Sequence, residues 1–210
     1  MKVNNRTDFT KGSLNEKNIP EIPYELFDSW LRDALDKMAI EPYAFQLATV
    51  SIDSKPSIRT VYLRSVEENG YVFFTNYNGK KGKEISNNPN VCMNFFWAEK
   101  ERQIRIEGKA EKITPEFSDA YFASRPRKSQ IGAWASSQSE ELKNYQELEN
   151  KVIELEKKYE GIEIPRPENW GGYIIIPNYF EFWQGRSSRL HDRITYSKSD
   201  GKWIVKRINP

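Results

Sequence analysis

The sequence predicts a mainly β protein with peripheral helices, an antiparallel barrel in outline. Apolar residues alternate over short runs along much of the chain, which is the period of strands. Most runs are joined by hairpin turns, and helices come as insertions rather than in βαβ alternation, so the sheet is antiparallel. No G-x-G-x-x-G is present, which argues against a doubly wound dinucleotide-binding sheet.

The 210 residues suit one domain of generous size, able to bury a core without staples. Residues 1–20 are polar and are expected as a flexible N-terminal segment, with residues 21–210 forming the single folded domain. A lone Cys92 leaves no intramolecular disulfide and no multi-cysteine metal site, and a lone His191 rules out poly-histidine metal centres. No metal is expected, so redox chemistry would fall to an organic cofactor. No apolar run nears the roughly 20 residues that span a bilayer, and Met1 to Pro20 lacks the apolar stretch of a signal peptide. The expectation is a cytoplasmic protein without membrane contact. A net charge of +2 gives no ground for a nucleic-acid partner.

Residues 24–40 place Leu26, Phe27, Trp30, Leu31, Ala34, Leu35 and Met38 on one face, an amphipathic helix with Pro23 ahead of it. Residues 43–52 and 56–66 read as strands joined by a turn at Asp53-Ser54-Lys55-Pro56. A strand at 70–75 precedes a short helix at 79–88, closed by Asn87-Asn88-Pro89. Strands follow at 91–98 and 102–113. Thr114 and Pro115, an N-cap and first-turn proline, open a helix over 115–125, with a short helix at 127–136. Residues 140–160 carry one narrow apolar stripe on a charged helix. Pro165 and Pro167 break the chain before strands at 171–176, 179–184, 190–197 and 202–207.

Four clusters carry candidate chemistry. Arg59 and Arg64 lie five apart in one expected strand, hence on opposite faces, and the guanidinium fork suits phosphate. Lys80, Lys81 and Lys83 open a helix, where cations oppose the helix dipole unless an anion compensates; a solvated turn explains them equally well. Tyr121, Ser124, Arg125, Arg127, Lys128 and Ser129 suit a second phosphate, although basic loops between helices are common. Arg189, His191 and Arg193 would share one strand face, where a neutral His191 could accept a hydrogen bond or a proton.

The runs R-P-R-K-S-Q-I-G-A-W, E-F-W-Q-G and R-L-H-D-R occur in that order toward the C-terminus. T-K-G-S-L, R-T-V-Y-L-R, F-F-T-N and E-R-Q-I-R precede them. Together they resemble the pyridoxine (pyridoxamine) 5'-phosphate oxidase family over nearly the whole chain. The resemblance implies an FMN-binding split β-barrel and a homodimer with active sites at the subunit interface. It implies oxidation of pyridoxine 5'-phosphate or pyridoxamine 5'-phosphate to pyridoxal 5'-phosphate, a step of vitamin B6 metabolism, with O2 as acceptor and H2O2 as product.

Carried over residue by residue, the FMN positions are Arg59, Thr60, Val61, Tyr62, Leu63, Arg64, Phe74, Thr75, Lys80, Lys81, Gln103, Gln138, Ser139, Trp183 and Arg193. The substrate positions are Arg64, Tyr121, Arg125 and Ser129 around the phosphate, with Arg189, Leu190 and His191 at the pyridine ring. Arg6 to Phe9 would form an active-site lid. The resemblance implies Arg189 and His191 as the catalytic pair, which would position the ring for hydride transfer from its C4' carbon. Phe9 replaces a lid Tyr, Arg64 stands where Lys is often found, and Lys80 stands for an Arg. Another FMN split-barrel oxidoreductase or flavin reductase would not need Arg125, Ser129, Arg189 and His191 together. A basic, aromatic-rich nucleic-acid binder would instead be colourless, with salt-sensitive affinity.

Overall fold

The structure, a computed structural model, describes residues 8–37 and 41–210. In chain order its elements are α1 (Pro23–Lys37), β1 (Ala44–Val50), β2 (Pro56–Tyr62), β3 (Ser65–Glu67), β4 (Gly70–Asn76) and α2 (Lys80–Asn87). Next come β5 (Asn90–Trp97), β6 (Arg102–Lys112), α3 (Pro115–Ser124), α4 (Arg127–Ala135) and α5 (Tyr145–Lys158). The chain closes with β7 (Trp170–Gln184), β8 (Asp192–Ser199) and β9 (Lys202–Arg207). The sheet is antiparallel, in the order β2-β1-β5-β6-β7-β4-β3, with β8 on β7 and β9 on β8. It curls into a half-barrel with the helices at its periphery, the mainly β architecture expected. No helix among the described residues is long and apolar enough to cross a membrane.

Strand alternation sends Phe45, Leu47, Met93, Phe95, Ile104, Ile106, Phe180 and Phe182 inward as one core. The apolar face of α1 plugs it. The Phe27 ring packs 4.6 Å from Tyr71 and 5.3 Å from Phe95, and burying such a side chain contributes about 1.5–3 kcal/mol. A smaller core of Phe122, Ile131, Tyr159, Ile164 and Trp170 joins α3, α4, the end of α5 and the start of β7. Thr114 caps α3 by accepting from the Phe117 N–H, as the sequence suggested.

Four expected boundaries are corrected. Residues 56–66 are not one strand. The Leu63 N–H donates to Tyr43 O, whereas the Arg64 N–H donates to Val72 O of β4. The chain changes neighbours here, so Arg59 and Arg64 share no strand and the opposite-face argument lapses. Residues 171–176 and 179–184 are one strand, β7. Pro177 pairs with Gly108 and Tyr179 with Glu107, which leaves Asn178 as a bulge. A bulge is where a sheet tolerates a proline's missing donor. Strand β8 begins only at Asp192, because Ser187–Arg189 forms a 3-10 turn with Ser188 and Arg189 at φ 56° and 62°. Arg189 and His191 therefore do not alternate with Arg193 along a strand. Helix α5 starts at Tyr145, where the Asn144 side chain caps the Gln146 N–H, so residues 140–144 lie outside it.

Candidate active site

Strands β2 and β4 and helices α2 and α3 bring their side chains to a cavity of about 290 Å³. It is lined by Thr60, Val61, Tyr62, Arg64, Phe74, Thr75, Lys81, Tyr121, Arg125, Gln138 and Trp170. All but Trp170 are residues expected from the sequence. Trp170 stacks on Phe74 at 5.5 Å, Phe74 stacks on Tyr121 at 3.7 Å, and the Arg125 guanidinium lies 4.4 Å from the Trp170 ring centre. The only sequence signal for Trp170 is an aromatic beside paired glycines at a strand start.

Arg125 Nη1 is buried without a hydrogen-bond partner. Burial lowers the Arg125 pKa, Tyr121 partly opposes that, and Arg64 adds to it. An anion in the cavity would satisfy the orphan nitrogen and relieve the repulsion between the two arginines. Lys81 is buried in the first turn of α2, and its Nζ donates to Thr75 Oγ1 at 3.1 Å and Gln138 Oε1 at 2.7 Å. Burial, then the Arg59 charge, lowers its pKa. The first turn of α2 has no acidic residue and no side-chain cap, so its amides are open to an anion. Gly82 permits this geometry, since a Cβ there would stand 2.1 Å from Tyr77 O.

Arg59 is placed differently from its neighbours on β2. It does not line the cavity. Its guanidinium donates to Leu47 O, Thr49 Oγ1, Ser57 Oγ and Glu84 Oε2, the last at 3.2 Å. Burial raises the Glu84 pKa, but hydrogen bonds from Ser57, Thr49 and Arg59 outweigh it and hold the carboxyl below its usual range. Lys80 is exposed, 3.9 Å from Glu84 Oε1. Leu63 is buried, Ser139 sits beside Gln138 at φ 71°, and the Ser129 N–H donates to Pro126 O. None of these three lines the cavity.

The remaining expected residues form a second group away from the cavity lining. Gln103, Trp183 and Arg193 lie side by side across β6, β7 and β8. Arg193 Nε donates to Glu181 Oε1 at 2.7 Å, and Arg105 Nη2 to Glu181 Oε2 at 2.8 Å. His191 stands 4.7 Å from the Trp183 ring and its Nδ1 accepts the Arg186 N–H at 3.1 Å. The Phe9 ring packs edge-on to Trp183 at 5.6 Å and to His191 at 5.7 Å. Arg189 and Leu190 are exposed on the adjoining turn. Arg6 lies outside the described residues. Glu84, Glu181 and Glu101, which ties down the segment after Phe9, were not singled out from sequence, because a carboxylate's partners are visible only after folding.

Comparison with known proteins places the chain. A family model described as pyridoxamine 5'-phosphate oxidase matches residues 31–159, and one described as the pyridoxine 5'-phosphate oxidase C-terminal dimerisation region matches residues 170–210. A pyridoxine/pyridoxamine 5'-phosphate oxidase of Cytophaga hutchinsonii is 51% identical over 98% of this chain and 96% of its own. Another from Actinobacillus pleuropneumoniae is 49% identical over 99% and 98%. The crystal structure of PhzG from Burkholderia lata, in complex with tetrahydrophenazine-1-carboxylic acid, superposes with a TM-score of 0.88 at 30% identity, covering 92% of this chain and 95% of that one. An FMN-binding, pyridoxamine 5'-phosphate oxidase-related protein of Nostoc punctiforme shares the fold at 17% identity, with a TM-score of 0.71 over 91% of this chain and 100% of that one. Matched over residues 31–159 and 170–210 by the two family models, and along nearly its full length by relatives about half identical to it, this chain belongs to the pyridoxine/pyridoxamine 5'-phosphate oxidase family.

Proposed function

We propose that the protein oxidises pyridoxine 5'-phosphate or pyridoxamine 5'-phosphate to pyridoxal 5'-phosphate, with FMN as cofactor and O2 reduced to H2O2. The amine substrate also consumes water and releases ammonia. One observation carries this reading: a single cavity gathers Arg64 and Arg125 with Tyr121, and Lys81 with Thr75 and Gln138, and Arg125 Nη1 is buried and unpartnered there. Cofactor and substrate each bring a phosphate, so the site needs two cation groups, and it has them.

The residues fit FMN. Lys81, Thr75 and the open amides of α2 would hold its phosphate, and the chain at 60–64 would border its ring. When bound, FMN supplies the two-electron acceptor that passes electrons on to O2. Arg64, Arg125, Tyr121 and Ser129 bind the substrate phosphate in this reading, and Arg125 brings an Nη1 that has no other hydrogen-bond partner. Arg189 and His191 orient the pyridine ring and its polar substituents. The row Gln103, Trp183 and Arg193 does not line the cavity, so a second copy of the chain completes each site. The dimerisation region matched at residues 170–210, which holds Trp183 and Arg193, supports that assembly.

The test is aerobic incubation of the purified protein with FMN and each phosphorylated vitamer, following pyridoxal 5'-phosphate and peroxide. Product from neither vitamer refutes the reading. Turnover confined to a carboxylated tricyclic substrate would favour another oxidoreductase of the same fold.

A further inference from the structure

We infer that Glu101 is a positioning residue that holds the N-terminal strap, residues 8–14, closed over Trp183 and His191. Its effect on turnover rests on the substrate reading above. Glu101 is 5% exposed, and its Oε2 accepts the backbone N–H of Thr10 at 2.8 Å and of Lys11 at 2.9 Å. Its own carbonyl accepts the Gly185 N–H at 2.7 Å and Gln184 Nε2 at 3.2 Å. One residue thus joins the strap, the turn between β5 and β6, and the chain leaving β7.

The backbone of Glu101 is left-handed, at φ 54° and ψ 39°. Glycine would occupy it without steric cost, whereas Glu is disfavoured there, so what Glu adds at this position is its carboxylate. That carboxylate pins the two residues next to Phe9, whose ring covers Trp183 and His191. Gly185 leaves the space for it, because a Cβ at 185 would lie 2.7 Å from Phe9 Cγ. Asp8 Oδ1 accepts the Ser188 N–H at 3.1 Å, so the strap tip also braces the turn that carries Arg189. The base of the strap has its own anchors: the Leu14 N–H donates to Asp192 Oδ2, and Arg207 Nη2 donates to Leu14 O. Loss of the Glu101 carboxylate therefore releases the Thr10 and Lys11 amides, while Asp8 on Ser188, Lys11 Nζ on Glu99 O and the anchors at the base remain.

The test compares full-length, FMN-loaded wild type with Glu101→Gly, Glu101→Gln and Gly185→Ala. Amide hydrogen exchange over residues 8–14 is measured beside kcat and KM for pyridoxine 5'-phosphate. Glu101→Gly keeps the left-handed turn and removes the acceptor. Exchange at Thr10 and Lys11 should rise about tenfold or more while Leu14 stays protected, and KM should rise about tenfold with FMN still bound. Glu101→Gln retains one oxygen able to accept both amides and should restore slow exchange and low KM. Gly185→Ala presses chiefly on Phe9, and less closely on Glu101 Cβ at 3.1 Å, while keeping the carboxylate, and should raise KM. Unchanged exchange in Glu101→Gly overturns the inference, as does a released strap with unchanged KM. If wild type turns over neither vitamer, the functional reading fails, and the exchange data alone decide whether Glu101 anchors the strap.

Discussion

Replacing Glu181 by Gln takes one negative charge out of a buried network on the sheet face opposite Phe180 and Phe182. The Glu181 side chain is 4% exposed and receives Arg105 and Arg193, whose side chains are 35% and 29% exposed. Removing one partner of a buried ion pair costs about 3–5 kcal/mol. Water reaches a third of each arginine and Gln keeps one acceptor, so the expected loss is about 2–3 kcal/mol. Urea unfolding at pH 7 and fixed protein concentration measures it, the concentration being held because dimer assembly adds to apparent stability. Burial raises the Glu181 pKa, but hydrogen bonds from Arg105 and Arg193 and their charges more than offset this and hold it below the ordinary value. A carboxyl depressed in the folded state contributes stability above its unfolded pKa and loses it as pH falls through the folded one. The gap between wild type and variant should therefore close on acidification. A loss under about 1 kcal/mol at pH 7, or a gap that persists at low pH, refutes the reasoning.

Arg125→Ala should raise KM for pyridoxine 5'-phosphate about 10–100-fold, while FMN still binds by flavin-fluorescence titration. Residual activity on unphosphorylated pyridoxine should be the same in both proteins. A bound phosphate favours charged Lys81, whose pKa burial lowers in the free protein. FMN binding should therefore take up protons, and affinity should fall as pH rises through the depressed Lys81 value; Lys81→Met should remove that dependence. Gly82→Ala would press a Cβ to 2.1 Å from Tyr77 O. Thermal unfolding should show a loss of about 1–3 kcal/mol, and displacement of α2 should weaken FMN binding.

The helix face of α1, the capped start of α3 and the run of hairpins were legible because each follows from periodicity or from a side chain satisfying a backbone amide a few residues away. The same holds for most of the cavity lining, since Arg64, Lys81, Tyr121 and Arg125 announce their chemistry by type. Arg59 shows where that reasoning stops. Its residue type suits phosphate, yet folding sets it against Glu84, 25 positions away in the chain. The expected strand at 56–66 failed for a related reason: alternation continues through Leu63 and Arg64, but their backbone partners switch from Tyr43 to Val72.

The sequence alone decided the strand period, the lack of a second cysteine or histidine, and the family motifs that carry the cations and the single His. Those are properties of neighbours along the chain. Folding decided that Trp170 joins the cavity, that Arg189 and His191 sit on a turn rather than a strand, and that the expected site divides into two groups. Folding also decided that Glu84 meets Arg59, Glu101 the Thr10 and Lys11 amides, and Glu181 both Arg105 and Arg193. A carboxylate buried against distant arginines or amides looks, in sequence, like any surface acid, because its desolvation and its partners exist only once the sheet has closed around it.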